Sequence, residues 1–122
     1  MSKYRLAARE RNLIYRKHNG HCAYCGQKIP YERMRLSWQI PGKDGGTFTI
    51  FNLQPACISC CKYKTNKSDE EFRQFIDNTS GRMYKEVELY RLCVHFGVIE
   101  EKDTETKFYF EMSKKEKEEF HE

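Results

Sequence analysis

Gly20-His21-Cys22-Ala23-Tyr24-Cys25-Gly26 and Cys57-Ile58-Ser59-Cys60 are the two stretches on which the fold of this chain turns. Each carries a Cys-x-x-Cys pair, and 31 residues lie between the pairs. Two tight turns that each deliver two thiolates build a tetrahedral site for one zinc ion, with sulfur ligands at about 2.3 Å. Four cysteines leave no open coordination position, so the expected role of the zinc is structural. The competing reading is a pair of disulfides, which a reducing compartment disfavours. Met1-Ser2-Lys3-Tyr4-Arg5 is basic and no apolar run follows it, so no secretory signal and a cytoplasmic location are expected.

Outward from the first pair, residues 3–18 have helical periodicity, with Leu6, Ala7, Leu13 and Ile14 on one stripe and Asn19-Gly20 as the stop. Residues 34–40 alternate. Met34, Leu36, Trp38 and Ile40 share one face and Arg35, Ser37 and Gln39 the other, as in a half-buried strand. The turn-rich run Pro41 to Gly46 then predicts a hairpin whose second strand is Thr47–Phe51. Cys60 should open or precede a short helix. Ser68-Asp69-Glu70-Glu71 reads as a capping box, with Phe72, Phe75 and Ile76 behind it.

Further on, a helix is expected over 82–95, with Met83, Val87, Tyr90 and Val94 inward and Gly97 as its stop. Residues 106–112 alternate Phe108, Phe110 and Met112 as a short strand would, and 113–122 form a charged helical or frayed end. The expected division is a zinc module at 1–76 and an extension at 77–122. At 122 residues the core is modest, which makes a structural metal matter to stability. No apolar run approaches the 20 residues or so of a membrane span.

Charge is distributed unevenly. Residues 1–73 hold 14 Lys/Arg against 6 Asp/Glu, and residues 74–122 hold 8 against 12. The basic half suits phosphates or remains an ordinary solvated surface. Arg5, Arg9, Arg16 and Lys17 on the first helix, with Lys62 and Lys64 after the second pair, are the candidate contacts.

Gly20 to Gly26, Ile40-Pro41, Gly45-Gly46-Thr47, Asn52-Leu53-Gln54-Pro55-Ala56-Cys57, Cys60 and Lys64, in this order and spacing, resemble the zinc-stabilised HNH endonucleases. The resemblance covers roughly residues 10–75. It implies an α+β fold, the ββα-metal module, in which a hairpin packs on a helix and a zinc bound by Cys22, Cys25, Cys57 and Cys60 pins it. The N-terminal helix and a C-terminal helical and strand extension flank that module. The remainder looks like small HNH proteins of bacteriophages and mobile elements, which would place the protein in a host cell's cytoplasm.

In that family an acidic residue and a histidine on the first strand hold a divalent cation and activate water. A middle Asn or His positions the histidine, and an Asn or His after the last cysteine completes the metal site. Here those places hold Ser37, Trp38, Asn52 and Cys61, so only Asn52 fits. An indole N–H is a donor only. Ser37 is a weak ligand for a hard cation, and Cys61 a soft one. Loss of a positioned base costs on the order of 10²–10⁴-fold in rate. His21 is a poor rescue base beside the knuckle, and His18, His95 and His121 lack partners at useful spacing. Cys93 reads as a small buried apolar residue.

The resemblance together with these departures implies a catalytically inactive HNH-like protein that binds nucleic acid or a nucleic-acid-handling protein such as a nuclease. A phage-encoded regulator or an inhibitor of host defence of the anti-CRISPR type is one form of that reading. The alternative is an active HNH endonuclease with a non-standard metal site built on His21, Asn52 and Cys61. Trp38 either fills the vacated site as a core residue or anchors a partner. Oligomeric state stays open.

Overall fold

A computed structural model describes residues 5–102 and 105–120. The chain forms an α+β arrangement: α1 (Ala8–Arg16), β1 (Arg35–Trp38), β2 (Leu53–Ala56), α2 (Ile58–Lys64), α3 (Asp69–Glu86), α4 (Glu88–His95) and α5 (Lys114–Phe120). Short 3₁₀ turns occupy Tyr31–Arg33, Gly42–Asp44 and Tyr109–Glu111. No helix among the described residues is long and apolar enough to cross a membrane. Two compact units are present: residues up to Asp69 with those from Lys107 onward, and Glu70–Thr106. This differs from the expected division at 76/77, because residues 107–122 group with the cysteine-bearing unit.

In the first unit, α1 is shorter than the expected 3–18, and residues 3 and 4 lie outside the described residues. It stops where anticipated. Asn19 and Gly20 turn left-handed at φ 54° and 81°. A Cβ on Gly20 would fall 2.8 Å from the Tyr15 hydroxyl, so both torsion and space demand glycine there. Ile14 is fully buried while Leu13 is half exposed. Polar ties hold the helix down. Arg11 Nη2 donates to the Met34 carbonyl at 2.8 Å, Tyr15 Oη to the Ile29 carbonyl at 2.7 Å, and His18 Nε2 lies 3.1 Å from Gln54 Oε1.

The two strands pair antiparallel, Arg35 opposite Ala56 and Trp38 opposite Leu53. The hairpin is therefore real, but its second strand is Leu53–Ala56 and not Thr47–Phe51, which forms turns. Burial overrides β propensity here, since all four residues of β2 are buried whereas Phe51 is 84 % exposed. Pro55 is tolerated because both strands of a two-stranded sheet are edges. The expected faces of β1 also need correction. Ser37 is buried and Ile40 is half exposed, because a buried tyrosine satisfies the Ser37 hydroxyl. Helix α2 begins at Ile58, slightly earlier than expected, with Cys57 as its cap and Cys60 inside its first turn.

Phe108-Tyr109-Phe110 is a 3₁₀ turn and not a strand. Its Tyr109 and Phe110 N–H groups donate to the Tyr24 and Ala23 carbonyls at 3.1 and 2.8 Å, so it caps the first knuckle. Adjacent Phe108 and Tyr109 are both buried, unlike the residues of a half-buried strand.

The second unit is helical. α3 runs through Gly81 to Glu86, where two separate helices were expected, and α4 ends before Gly97 at φ 74°. Phe72 and Tyr90 are buried; Met83 and Val87, expected inward, are exposed. Arg73 Nε donates to the Thr106 carbonyl at 3.0 Å, and Asp77 Oδ1 accepts from the Thr106 N–H at 2.9 Å.

Candidate metal centre and vacated nuclease site

Cys22 and Cys25 sit in a knuckle closed by Gly26 at φ 79°, where the Gly26 N–H donates to the Cys22 carbonyl at 3.0 Å. Cys57 caps α2, and its Sγ accepts the Cys60 N–H at 3.3 Å. The four Sγ atoms all lie within 4.8 Å of one another, and Cys25 Sγ to Cys57 Sγ is 3.8 Å. Four thiolates at about 2.3 Å from a tetrahedral centre are separated by about 3.8 Å, so the set fits a metal ion and not two disulfides. Electrostatics favour the same conclusion. Hydrogen bonds from Cys25 and Cys60 hold the Cys22 thiol far below its ordinary range. Hydrogen bonding with Cys22 pushes Cys25 up to about 11 and raises Cys60 as well. A bound soft cation such as zinc would stabilise all four as thiolates.

Of the places that the resemblance assigns to nuclease chemistry, Ser37 and Asn52 are committed to structure. Tyr24 Oη donates to Asp69 Oδ1 at 2.7 Å and lies 2.9 Å from Ser37 Oγ. Burial, then the Asp69 carboxylate, pushes the Tyr24 phenol far above its ordinary value. Its one proton goes to Asp69, so Ser37 donates to Tyr24. Asn52 is spent on the loop. Its Oδ1 accepts the Ile40 N–H at 3.0 Å, and its Nδ2 donates to the Ile40 and Thr47 carbonyls at 2.9 Å. A Cβ on Gly46 would fall 1.7 Å from the Ile40 carbonyl oxygen, so this clamp needs glycine at 46.

Trp38 is half-buried, with its ring 5.7 Å from Phe48. Together with Leu36, Pro41, Gly42 and Cys61 it lines a cleft of about 350 Å³. His21 Nδ1 is 2.9 Å from the Gly26 carbonyl oxygen, and its ring packs 5.4 Å from Tyr109. Among the described residues, the four cysteines are the one group of three or more His, Cys, Asp or Glu side chains placed to hold a metal.

Two of the candidate phosphate contacts are not available as read. Lys64 is buried. Its Nζ donates to the Trp38 and Lys67 carbonyls, lies 3.6 Å from Asp69 Oδ1 and sits 5.8 Å from the Tyr24 ring centre. Lys17 Nζ donates to the Ile50 and Leu53 carbonyls, the latter at 2.6 Å, and burial lowers its pKa. Arg5, Arg9, Arg16 and Lys62 remain exposed. Sequence reasoning missed Tyr24, Asp69, Phe108 and Tyr109. In the sequence Tyr24 reads as a spacer in the first Cys-x-x-Cys, and Asp69 as part of a capping signature.

This geometry defines a small α+β module built on a strand pair, a short helix and a four-thiolate metal knuckle. Residues 22–77 match the family model for HNH endonuclease. No curated protein and no solved structure shows a significant match to the chain.

Proposed function

We propose that this protein is a catalytically inactive HNH-domain protein that acts by binding nucleic acid, with zinc as the structural ion at Cys22, Cys25, Cys57 and Cys60. The observation that carries the reading is Ser37-Trp38, the pair standing where the family has its acid and base. One is a buried donor to Tyr24 and the other a half-buried indole. Neither takes a proton from water. Held by four cysteines, the zinc pins the knuckle to the start of α2; its chemistry is structural. Arg5, Arg9, Arg16 and Lys62 form the proposed phosphate-facing set.

The test is binding of a labelled oligonucleotide across a salt series. Each phosphate contact contributes about 0.7–0.9 to the slope of log K against log salt. Charge reversal at Arg5, Arg9, Arg16 and Lys62 together is expected to abolish most of that slope. An unchanged slope would leave the basic half as a solvated surface. Binding to a nucleic-acid-handling protein, as an inhibitor of anti-CRISPR type would do in a host cytoplasm, is the second form of the proposal. It predicts capture of a nuclease that survives digestion of all nucleic acid.

A further inference from the structure

The cleft beside Trp38 has no role in the account so far. It opens between β1, the Gly42–Asp44 turn and the end of α2. Its volume of about 350 Å³ lies at the small end of the range for ligand sites, about 300–1,000 Å³. Leu36, Trp38, Pro41 and Cys61 give it apolar walls. Gly42 lines it too, and a side chain there would begin 3.9 Å from Trp38 Cζ3, over the edge of the indole. Glycine keeps that approach open.

The rim is polar and positive. Asn66 lines it with an exposed side-chain amide that makes no hydrogen bond among the described residues. Lys67 lines it, and exposed Lys43 follows Gly42. The walls thus offer a π-face, the rim an amide able both to donate and to accept, and the flank the ammonium of Lys67, which also donates to Thr65 Oγ1 at 3.3 Å. An aromatic platform within a basic surface is how single-stranded nucleic acid is held without duplex geometry. A side-chain amide is suited to the polar edge of a base. An apolar peptide side chain would make no use of Asn66 or of Lys67.

We propose that this cleft receives one unstacked nucleobase from a single strand. The base packs on Trp38, its polar edge faces Asn66, and a flanking phosphate lies toward Lys67. This rests on the nucleic-acid reading above and specifies the form of nucleic acid preferred.

Trp38 is the sole tryptophan, so its emission reports on the cleft directly. The zinc-loaded full chain is titrated in parallel with a labelled single-stranded oligonucleotide and a blunt duplex, following label anisotropy and tryptophan emission together. The single strand is expected to change Trp38 emission. Gly42→Leu, which fills the cleft at an unstrained backbone position, is expected to weaken single-strand binding about tenfold or more while leaving duplex binding unchanged. If single strands bind by anisotropy without changing the emission, and bind Gly42→Leu equally well, the cleft proposal is overturned and the nucleic-acid reading stands. If neither nucleic acid binds, both fall. If only an apolar peptide changes the emission, the cleft belongs to a protein ligand and the proposal is likewise overturned.

Discussion

The unit that carries the cysteines and the unit from Glu70 to Thr106 achieve order in different ways. In the first, single atoms have assigned partners. Lys64 holds two carbonyls and faces Asp69, Asn52 closes the loop with three hydrogen bonds, and the two knuckles converge on one sulfur cluster. In the second, Leu89 on α4 and Phe96 and Val98 just beyond it are 73 %, 71 % and 75 % exposed, and Phe72 and Tyr90 are buried. A small domain with a limited core substitutes specific polar contacts and a metal for apolar area. In the helical unit the polar contacts of Arg73 and Asp77 converge on Thr106 and do not involve Leu89, Phe96 or Val98, so these exposed apolar residues should be nearly silent in stability.

The largest way to break this comparison is to remove the metal. Structural zinc contributes apparent binding energies of about 10–16 kcal/mol to folding. Cys22→Ser, or a strong chelator, is expected to abolish the cooperative melting transition of the first unit. Stoichiometric zinc should disappear from elemental analysis with it. A protein that melts normally after zinc has been stripped would refute the structural role.

Next come the buried charge and the aromatic cap. Lys64→Ala leaves Asp69 and two carbonyls without their cation and is expected to cost about 3–5 kcal/mol, whereas exposed Lys62→Ala stays within about 0.5. Phe108→Ala, under the first knuckle, is expected to cost about 3–5 kcal/mol, while Phe96→Ala in the second unit changes stability by about 0.5 or less. Denaturant midpoints measure all four. Equal losses at Phe108 and Phe96 would erase the distinction between the units.

The smallest expected effect concerns His18, whose pKa is lowered chiefly by burial. The unfolded chain takes up a proton near pH 6.5 that the folded chain resists until lower pH. Stability is therefore full above that value and declines as pH falls through it toward the folded pKa. His18→Gln should flatten this part of the melting-temperature profile relative to the parent. Identical profiles would show that His18 does not contribute.

Much of the first unit was legible because its signals are discrete. The Cys-x-x-Cys pairs, the Asn19-Gly20 stop and the Pro41–Gly46 turn each have one cheap local solution. The second strand was misplaced because Thr47–Phe51 has the composition of a strand, while Leu53–Ala56 has the burial and contains a proline. The strand predicted around Phe108 failed for a related reason. Alternation describes a face, and these residues instead dock their backbone on the knuckle. Tertiary partners of Lys64 and Tyr24 leave no periodic trace, so a buried lysine read as a phosphate contact. The clustering of the four cysteines needed only spacing, whereas the occupied state of Ser37 and Asn52 needed coordinates.

The central claim is that this HNH-like module binds without cutting, and one assay addresses it most directly. Zinc-loaded protein is incubated with supercoiled plasmid in Mg²⁺, Mn²⁺, Ni²⁺ or Zn²⁺, and nicking is scored beside retention of the DNA. The account predicts retained, intact plasmid with every cation. Metal-dependent nicking by the parent, lost in Cys61→Ala or His21→Ala protein that keeps its zinc, would contradict it and establish an active centre on a non-standard set of residues.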